Sequence, residues 1–262
     1  MFVDTHAHIY LKDFDDDRNE MIQRAKDKGI QAIYMPNIDS HSVDAMIKTE
    51  AQYDICYAMI GLHPCSVKED YLNELKLIDH MMSQRTFAAI GEVGIDMYWD
   101  KQFAVQQAEA FRRQIAIAAD AGLPVIIHSR EALDITISII SELQKGNLTG
   151  IFHCFNGDLQ QAERILDCGF LLGIGGVITY KNAGLDKVIE VVGIKKVVLE
   201  TDAPYLSPVP YRGKRNECAY IANVAEKLAE ISGLDIKTIA EVTTKNALSL
   251  FGHYNNAASA GI

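Results

Sequence analysis

The chain has 262 residues, with 25 Lys and Arg against 35 Asp and Glu, for a formal net charge of −10 at pH 7. That balance argues against tight, nonspecific binding of long duplex nucleic acid, which relies on broad basic surface. No apolar run approaches the roughly 20 residues needed to span a bilayer, and five cysteines (Cys56, Cys65, Cys154, Cys168 and Cys218) without a C-x-x-C pair argue against a disulfide framework. A reducing cytoplasm is therefore the expected compartment.

The first apolar run, near 2–6, opens the chain in FVDTHAHI, with no basic segment ahead of it that would suggest a signal peptide. A strand repeats every two residues, so Asp4, His6 and His8 project to one side and two imidazoles can meet one ion. A lone H-x-H fits an ordinary polar strand face equally well. Runs near 31–36 and 56–61 follow, the second leading into GLHP with His63, and a run near 87–92 carries Glu92 in FAAIGEVGID. Over 104–121 the spacing of Val105, Ala108, Phe111, Ile115 and Ala118 predicts a helix that Gly122 and Pro124 terminate.

The run near 124–128 ends in His128, with Arg130 two residues on, and the run near 150–154 ends in His153, followed by Cys154 on the opposite face and by Asn156. Asp158 is placed to cap a helix, with Gln161 three residues later, and that helix should stop before Gly169. Runs near 170–174 and 196–200 complete the series; the last carries Glu200 and Asp202 in KVVLETDAPYL. Beyond it come Tyr205, then Arg212, Lys214, Arg215 and Glu217 in PYRGKRNE.

Eight strand-like runs alternating with helical spacing predict an α/β fold, a TIM (β/α)8 barrel with its active site at the C-terminal ends of the strands. Buried parallel strands should read as nearly continuous apolar runs, as PVIIH and KVVLE do. Length fits, since such barrels take about 250 residues. With no linker, low-complexity block or internal repeat, residues 1–251 are expected to form a single domain and 252–262 a loosely ordered tail.

Taken together, FVDTHAHI, GLHP, GEVGIDMYW, FRRQIAIAADAGLPVIIHSREA, GIFHCFNGD, LLGIGGVITYKNAGL, LETDAPYL and RGKRNE resemble the TatD-type metal-dependent hydrolases of the amidohydrolase superfamily, from Phe2 to about Phe251. The resemblance implies a two-metal centre. One ion would be held by His6, His8, Glu92 and Asp202, the other by Glu92, His128 and His153, with Glu92 bridging. Related phosphotriesterase-type barrels use a modified lysine as the bridge; a glutamate stands there in this chain. Cys218 occupies a position where the family motif commonly continues with proline, which would loosen that loop.

Mixed imidazole and carboxylate ligands suit Zn²⁺, Mn²⁺, Co²⁺ or Fe²⁺, and the resemblance adds Mg²⁺, so the expected cofactors are two divalent ions, Zn, Mn or Mg. Two ions about 3.5–4 Å apart activate a water and stabilise displacement at phosphorus. Asp202 is the candidate proton acceptor, with Glu92 beside it. Glu200 could bind metal, orient a ligand histidine or fill the barrel interior; orientation is favoured because metal-bound histidines usually donate their other nitrogen to a carboxylate. Asp4 could do the same deeper in the barrel.

His63 is either a substrate phosphate contact or a loop cap. Arg130 could pair with a substrate phosphate or with a nearby carboxylate, and Asn156, Tyr205, Arg212 and Glu217 are weaker substrate candidates. The cluster of Arg212, Lys214 and Arg215 overlooks the barrel mouth and is read as a phosphate contact. Tyr98 and Trp99 are either a stacking surface or packing, and His41, His80 and His253 receive no role.

The resulting expectation is a 3′-to-5′ exodeoxyribonuclease on single-stranded DNA. The alternative is a carboxyl-ester or amide hydrolase such as an aminoacyl-tRNA deacylase, because fold does not fix substrate. A purely binding protein with structural metals is disfavoured by a ligand set that includes a potential base. No membrane association and no obligate protein partner are expected.

Overall fold

The computed structural model describes residues 1–99 and 101–252; the predicted tail from 253 onward, His253 included, lies outside the described residues. Eight strands appear in the predicted order: β1 (Phe2–Asp4), β2 (Ile30–Pro36), β3 (Cys56–Met59), β4 (Ile90–Asp96), β5 (Val125–Arg130), β6 (Gly150–Phe152), β7 (Leu171–Ile174) and β8 (Val197–Leu199). Between and after them stand α1 (Arg18–Asp27), α2 (Val43–Gln52), α3 (Tyr71–Gln84), α4 (Ala104–Ala121), α5 (Leu133–Leu143), α6 (Leu159–Asp167), α7 (Leu185–Val192), α8 (Ile221–Ser232) and α9 (Ile236–Phe251). All adjacent strands pair in parallel, β1 to β3 and β4 to β8.

Two seams close these strands into a barrel. Ile60 bridges Ile90, with Gly91 N–H donating to Ile60 O at 2.8 Å. On the other side Thr5 N–H reaches Leu199 O at 3.0 Å, Asp202 N–H reaches His6 O at 2.9 Å, and His8 N–H reaches Ala203 O at 2.7 Å. The closed barrel is the predicted (β/α)8 architecture, and its strands bury both faces, as the fully buried Val125, Ile126 and Ile127 illustrate. Among the described residues no helix is long and apolar enough to cross a membrane.

Helix punctuation follows the sequence closely. Gly122 takes the left-handed conformation (φ 65°) that ends α4. Asp158 and Gln161 form the predicted reciprocal cap, with Gln161 N–H donating to Asp158 Oδ1 at 2.9 Å and Asp158 N–H to Gln161 Oε1 at 3.1 Å. The buried face of α4 differs from the apolar stripe. Val105 is 77% exposed, while Gln107 and Gln114 are buried with Phe111, Ile115 and Ala118. Both glutamines serve strand and loop backbone: Gln107 Oε1 accepts from Asp96 N–H at 2.9 Å, and Gln114 Oε1 from Leu62 N–H at 2.7 Å. Satisfying those buried donors outweighs burying one valine.

β4 begins and ends later than the apolar run near 87–92. Its register with β5 skips a residue between Gly91 and Val93, so Glu92 is the extra residue of a bulge, a device that re-aims a side chain. The strand continues through Gly94, which sits at φ 147° against β5, where an added Cβ would lie 1.9 Å from His128 O. Gly94→Ala is therefore expected to destabilise the protein by at least about 2 kcal/mol, read as a lower thermal unfolding midpoint of the metal-free protein.

Candidate metal centre

Glu92 lies inside the C-terminal mouth of the barrel and turns its two oxygens to different partners. Oε2 stands 3.1 Å from His6 Nε2 and 3.4 Å from His8 Nε2. Oε1 stands 2.8 Å from His128 Nδ1 and 3.1 Å from His153 Nε2. Asp202 Oδ1 is 3.6 Å from both His6 Nε2 and His8 Nε2. All six residues that the sequence nominated as metal ligands thus converge, from five strands whose ends are distant in sequence.

Hydrogen bonds on the far side of the His8 and His128 rings show what their inner nitrogens carry. Tyr10 OH donates to Pro36 O at 2.6 Å, so it accepts from His8 Nδ1 at 3.0 Å. In neutral His8 the proton then sits on Nδ1, and Nε2 presents a bare lone pair to the Glu92 carboxylate. Two acceptors face each other, an arrangement that a cation between them would satisfy. His128 Nε2 lies 3.0 Å from Asp96 Oδ2 while its Nδ1 faces Glu92. Without a cation that ring needs both protons, and its pKa is raised: burial opposes the charge, but Asp96 and Glu92 outweigh burial. His6 Nδ1 is buried without a hydrogen-bond partner. The donor set, four imidazoles and two carboxylates, fits borderline divalent metals.

Glu200 belongs beside His153 rather than at the centre. Its Oε1 accepts from Cys154 N–H at 2.5 Å and stands 3.3 Å from His153 Nδ1. The absence of a side chain at Gly173 makes the room, since a Cβ there would meet Glu200 Oε2 at 2.3 Å. Asp4 plays a different part from the one expected. It accepts from Thr201 Oγ1 at 2.6 Å, Thr201 N–H at 3.0 Å and His6 N–H at 3.3 Å, so it ties β1 to the chain after β8 and does not orient an imidazole.

The electrostatics match this geometry. Burial pushes Glu92 up, yet the surrounding rings of His6, His153 and His63 and the His128 hydrogen bond hold it well below the usual carboxylate range. Burial raises Asp202 to about 6 against the pull of His153 and His8. Burial also drives His63 down to about 3. His63 Nδ1 accepts from Cys65 N–H at 3.1 Å, so the neutral ring carries its proton on Nε2, 3.7 Å from Glu92 Oε1. Although His63 lies close enough to Glu92 and His128 to complete a ligand cluster, this tautomer makes it a hydrogen-bond donor at the edge of the centre. The loop-cap reading of His63 is seen in one nitrogen, while the other faces the site.

The remaining candidates divide. Tyr205 sets its ring edge-on to His8, centroids 6.1 Å apart. Arg130 lies flat on Tyr98 and Arg212 on Tyr180, at 3.8 and 3.7 Å from the ring centres. Asn156 is exposed on the loop after β6. Glu217 instead pairs with Arg24 of α1, at 2.9 Å to Nε and 2.7 Å to the guanidinium end. Arg215 pairs with Asp17 at 2.7 and 2.8 Å, so the predicted basic cluster does not act as a unit. Cys218 is fully buried in the short helical turn Cys218–Tyr220 and leaves the loop well packed. Sequence reading missed Tyr10 and Asp96, although each continues the two-residue alternation of a nominated ligand, His8 and Glu92 respectively.

Two outcomes follow from these contacts. Tyr10→Phe removes the acceptor that fixes His8 and is expected to weaken metal binding about 10–100-fold, measured by titrating metal into the metal-free protein. Asp202 is protonated below about 6; burial opposes charge on His128 and His153, but the neighbouring carboxylates outweigh it and raise both. These ligands must shed their protons, so metal affinity should fall as pH drops from 7 to 5, by at least about tenfold per pH unit below 6. Calorimetric titrations at pH 5, 6 and 7 would read this, and Asp202→Asn should make the fall below 6 shallower; an unchanged slope in that variant would remove Asp202 from the ligand set.

A family model for the TatD related DNase matches residues 3–252. The chain is 38% identical over 252 residues to YabD of Bacillus subtilis, named an uncharacterized metal-dependent hydrolase, covering 96% of this chain and 99% of that one. It is 29% identical over 255 residues to the 3′-5′ ssDNA/RNA exonuclease TatD of Pectobacterium parmentieri, covering 95% and 98%. The crystal structure of the TatD homologue YjjV from Escherichia coli superposes with a TM-score of 0.89 at 29% identity, covering 95% and 97%. The chain belongs to the TatD related DNase family and is a metal-dependent hydrolase.

Proposed function

We propose that the protein is a phosphodiesterase that removes nucleotides from the 3′ end of single-stranded DNA, working with two divalent ions. The observation that carries this reading is the division of Glu92 between His6 and His8 on one oxygen and His128 and His153 on the other. With Asp202 added to the first set, each oxygen belongs to its own ligand group, and Glu92 bridges them. Such a pair of ions, when bound, supplies an activated water and neutralises charge on the attacking and leaving oxygens.

The protein's own groups do the rest. Asp202, held beside the ligand histidines, accepts the proton of the attacking water, a general-base role whose contribution is about 10²–10⁴-fold. His63, neutral and with its proton on Nε2, donates a hydrogen bond to a phosphoryl oxygen and adds no positive charge that would repel the ions. The name of the Pectobacterium relative supports the choice of a single-stranded nucleic acid and the direction of trimming. Zn²⁺, Mn²⁺ and Mg²⁺ are the candidate ions.

The test is a 3′-labelled single-stranded DNA incubated with protein and Mg²⁺ or Mn²⁺. Stepwise loss of label is expected, slowed at least about 10²-fold by Asp202→Asn and abolished by a chelator. Intact DNA alongside turnover of an aminoacyl ester would replace this reading with acyl-ester hydrolysis.

A further inference from the structure

An aromatic and cationic cluster on the rim is left unused by the metal centre. Tyr98 and Trp99 directly follow β4 and are 49% and 68% exposed, their rings perpendicular with centroids 4.8 Å apart. Arg130, the last residue of β5, lays its guanidinium over Tyr98 at 3.8 Å and reaches over Trp99 at 5.3 Å. The core has no use for rings so open to water.

Two connections fix this cluster relative to the metal centre. The first is Asp96: Oδ2 stands 3.0 Å from His128 Nε2, while Oδ1 accepts from Tyr98 N–H at 2.9 Å and Trp99 N–H at 3.1 Å. One carboxylate therefore orients a ligand histidine and holds the turn that presents both rings. The second is β5, where His128 and Arg130 stand two residues apart, about 6.6 Å along a strand and on one face.

We propose that Trp99, Tyr98 and Arg130 form a base-stacking subsite for the nucleotide adjoining the bond cleaved at the metal centre. The inference rests on the phosphodiesterase reading above and names what part of the substrate meets the rim. A nucleobase offers a flat π-face to an indole ring or to the open face of a stacked guanidinium, and any base can do so, which gives sequence-tolerant holding of single strands. Duplex DNA hides those faces. A chain with net charge −10 cannot hold a polyanion by a basic stripe, so stacking at one point beside the ions is the stronger source of grip. A simple acyl ester carries no ring to fill the subsite.

Trp99 is the only tryptophan in the sequence, so its fluorescence reports occupancy directly. The wild-type full chain, loaded with Mg²⁺, would be titrated with a cleavage-resistant phosphorothioate hexamer of deoxythymidylate and with an abasic phosphorothioate hexamer. Binding would be followed independently by anisotropy of a 5′ fluorescein. The thymidylate strand should quench Trp99 and bind about tenfold or more tightly than the abasic strand, and Arg130→Ala should shrink that ratio. Equal binding of both strands with Trp99 emission unchanged would overturn the subsite. A strand that the wild type trims without quenching Trp99 would overturn the subsite and leave the phosphodiesterase reading standing. A strand neither bound nor trimmed would overturn both.

Discussion

Two pairs of imidazoles share one buried carboxylate, and the mouth of the barrel is organised around that sharing. Glu92 has Oε2 beside His6 and His8 and Oε1 beside His128 and His153. A regular strand would not place it there. The bulge between Gly91 and Val93 and the glycine at 94 let β4 lie against β5 while Glu92 turns into the barrel. Removing the carboxylate would leave the His128 Nδ1 proton without its acceptor, in a region where an unpaired polar group is costly.

Closing the barrel and building half of the centre are the same event. The seam between the first and last strands is made by Thr5 N–H with Leu199 O, His6 O with Asp202 N–H, and His8 N–H with Ala203 O. Three of those six backbone groups belong to residues whose side chains face the metal position. Asp202 adopts φ 56°, a conformation that Asp tolerates better than most residues, and Asp4 fastens the same seam from below through Thr201. Around this frame Tyr10 and Asp96 each occupy the outer nitrogen of one ring, His8 and His128, and Glu200 stands 3.3 Å from that of His153, so the fold orients the inner nitrogens of His8 and His128 before any ion arrives.

Most of this was legible in the sequence, for physical reasons. Apolar runs punctuated by Gly, Pro and Asp announce parallel strands and helix ends, so the barrel, the α4 terminator Gly122 and the Asp158 cap could be read directly. Ligand types recur at run ends, so His6, His8, Glu92, His128, His153 and Asp202 could be collected before their convergence was seen. Long-range satisfaction of polar groups left no comparable trace. Gln107 and Gln114 look like surface residues of an amphipathic helix until their strand-end and loop donors are located. Glu217 and Arg215 look free until α1 brings Arg24 and Asp17 to them. Asp96 is the exception that alternation could have caught, since it stands four residues after Glu92 on the same strand face.

If the substrate is the proposed single-stranded nucleic acid, the fate of those charges bears on how an acidic protein handles it. Arg24 and Arg215 are engaged in ion pairs that join α1 and the residue before it to the loop after β8. Arg130 and Arg212 differ, because each lies on an aromatic ring. An aromatic partner orders a guanidinium without neutralising it, so its charge is kept for a phosphate and little side-chain entropy remains to be lost on binding. Few cations are then enough, provided they are held in place and the ions of the centre carry the remaining positive charge. Selectivity at such a mouth comes from where the rings and ions sit relative to one another, and in this chain that spacing is set by Asp96 and the short reach of β5 from His128 to Arg130.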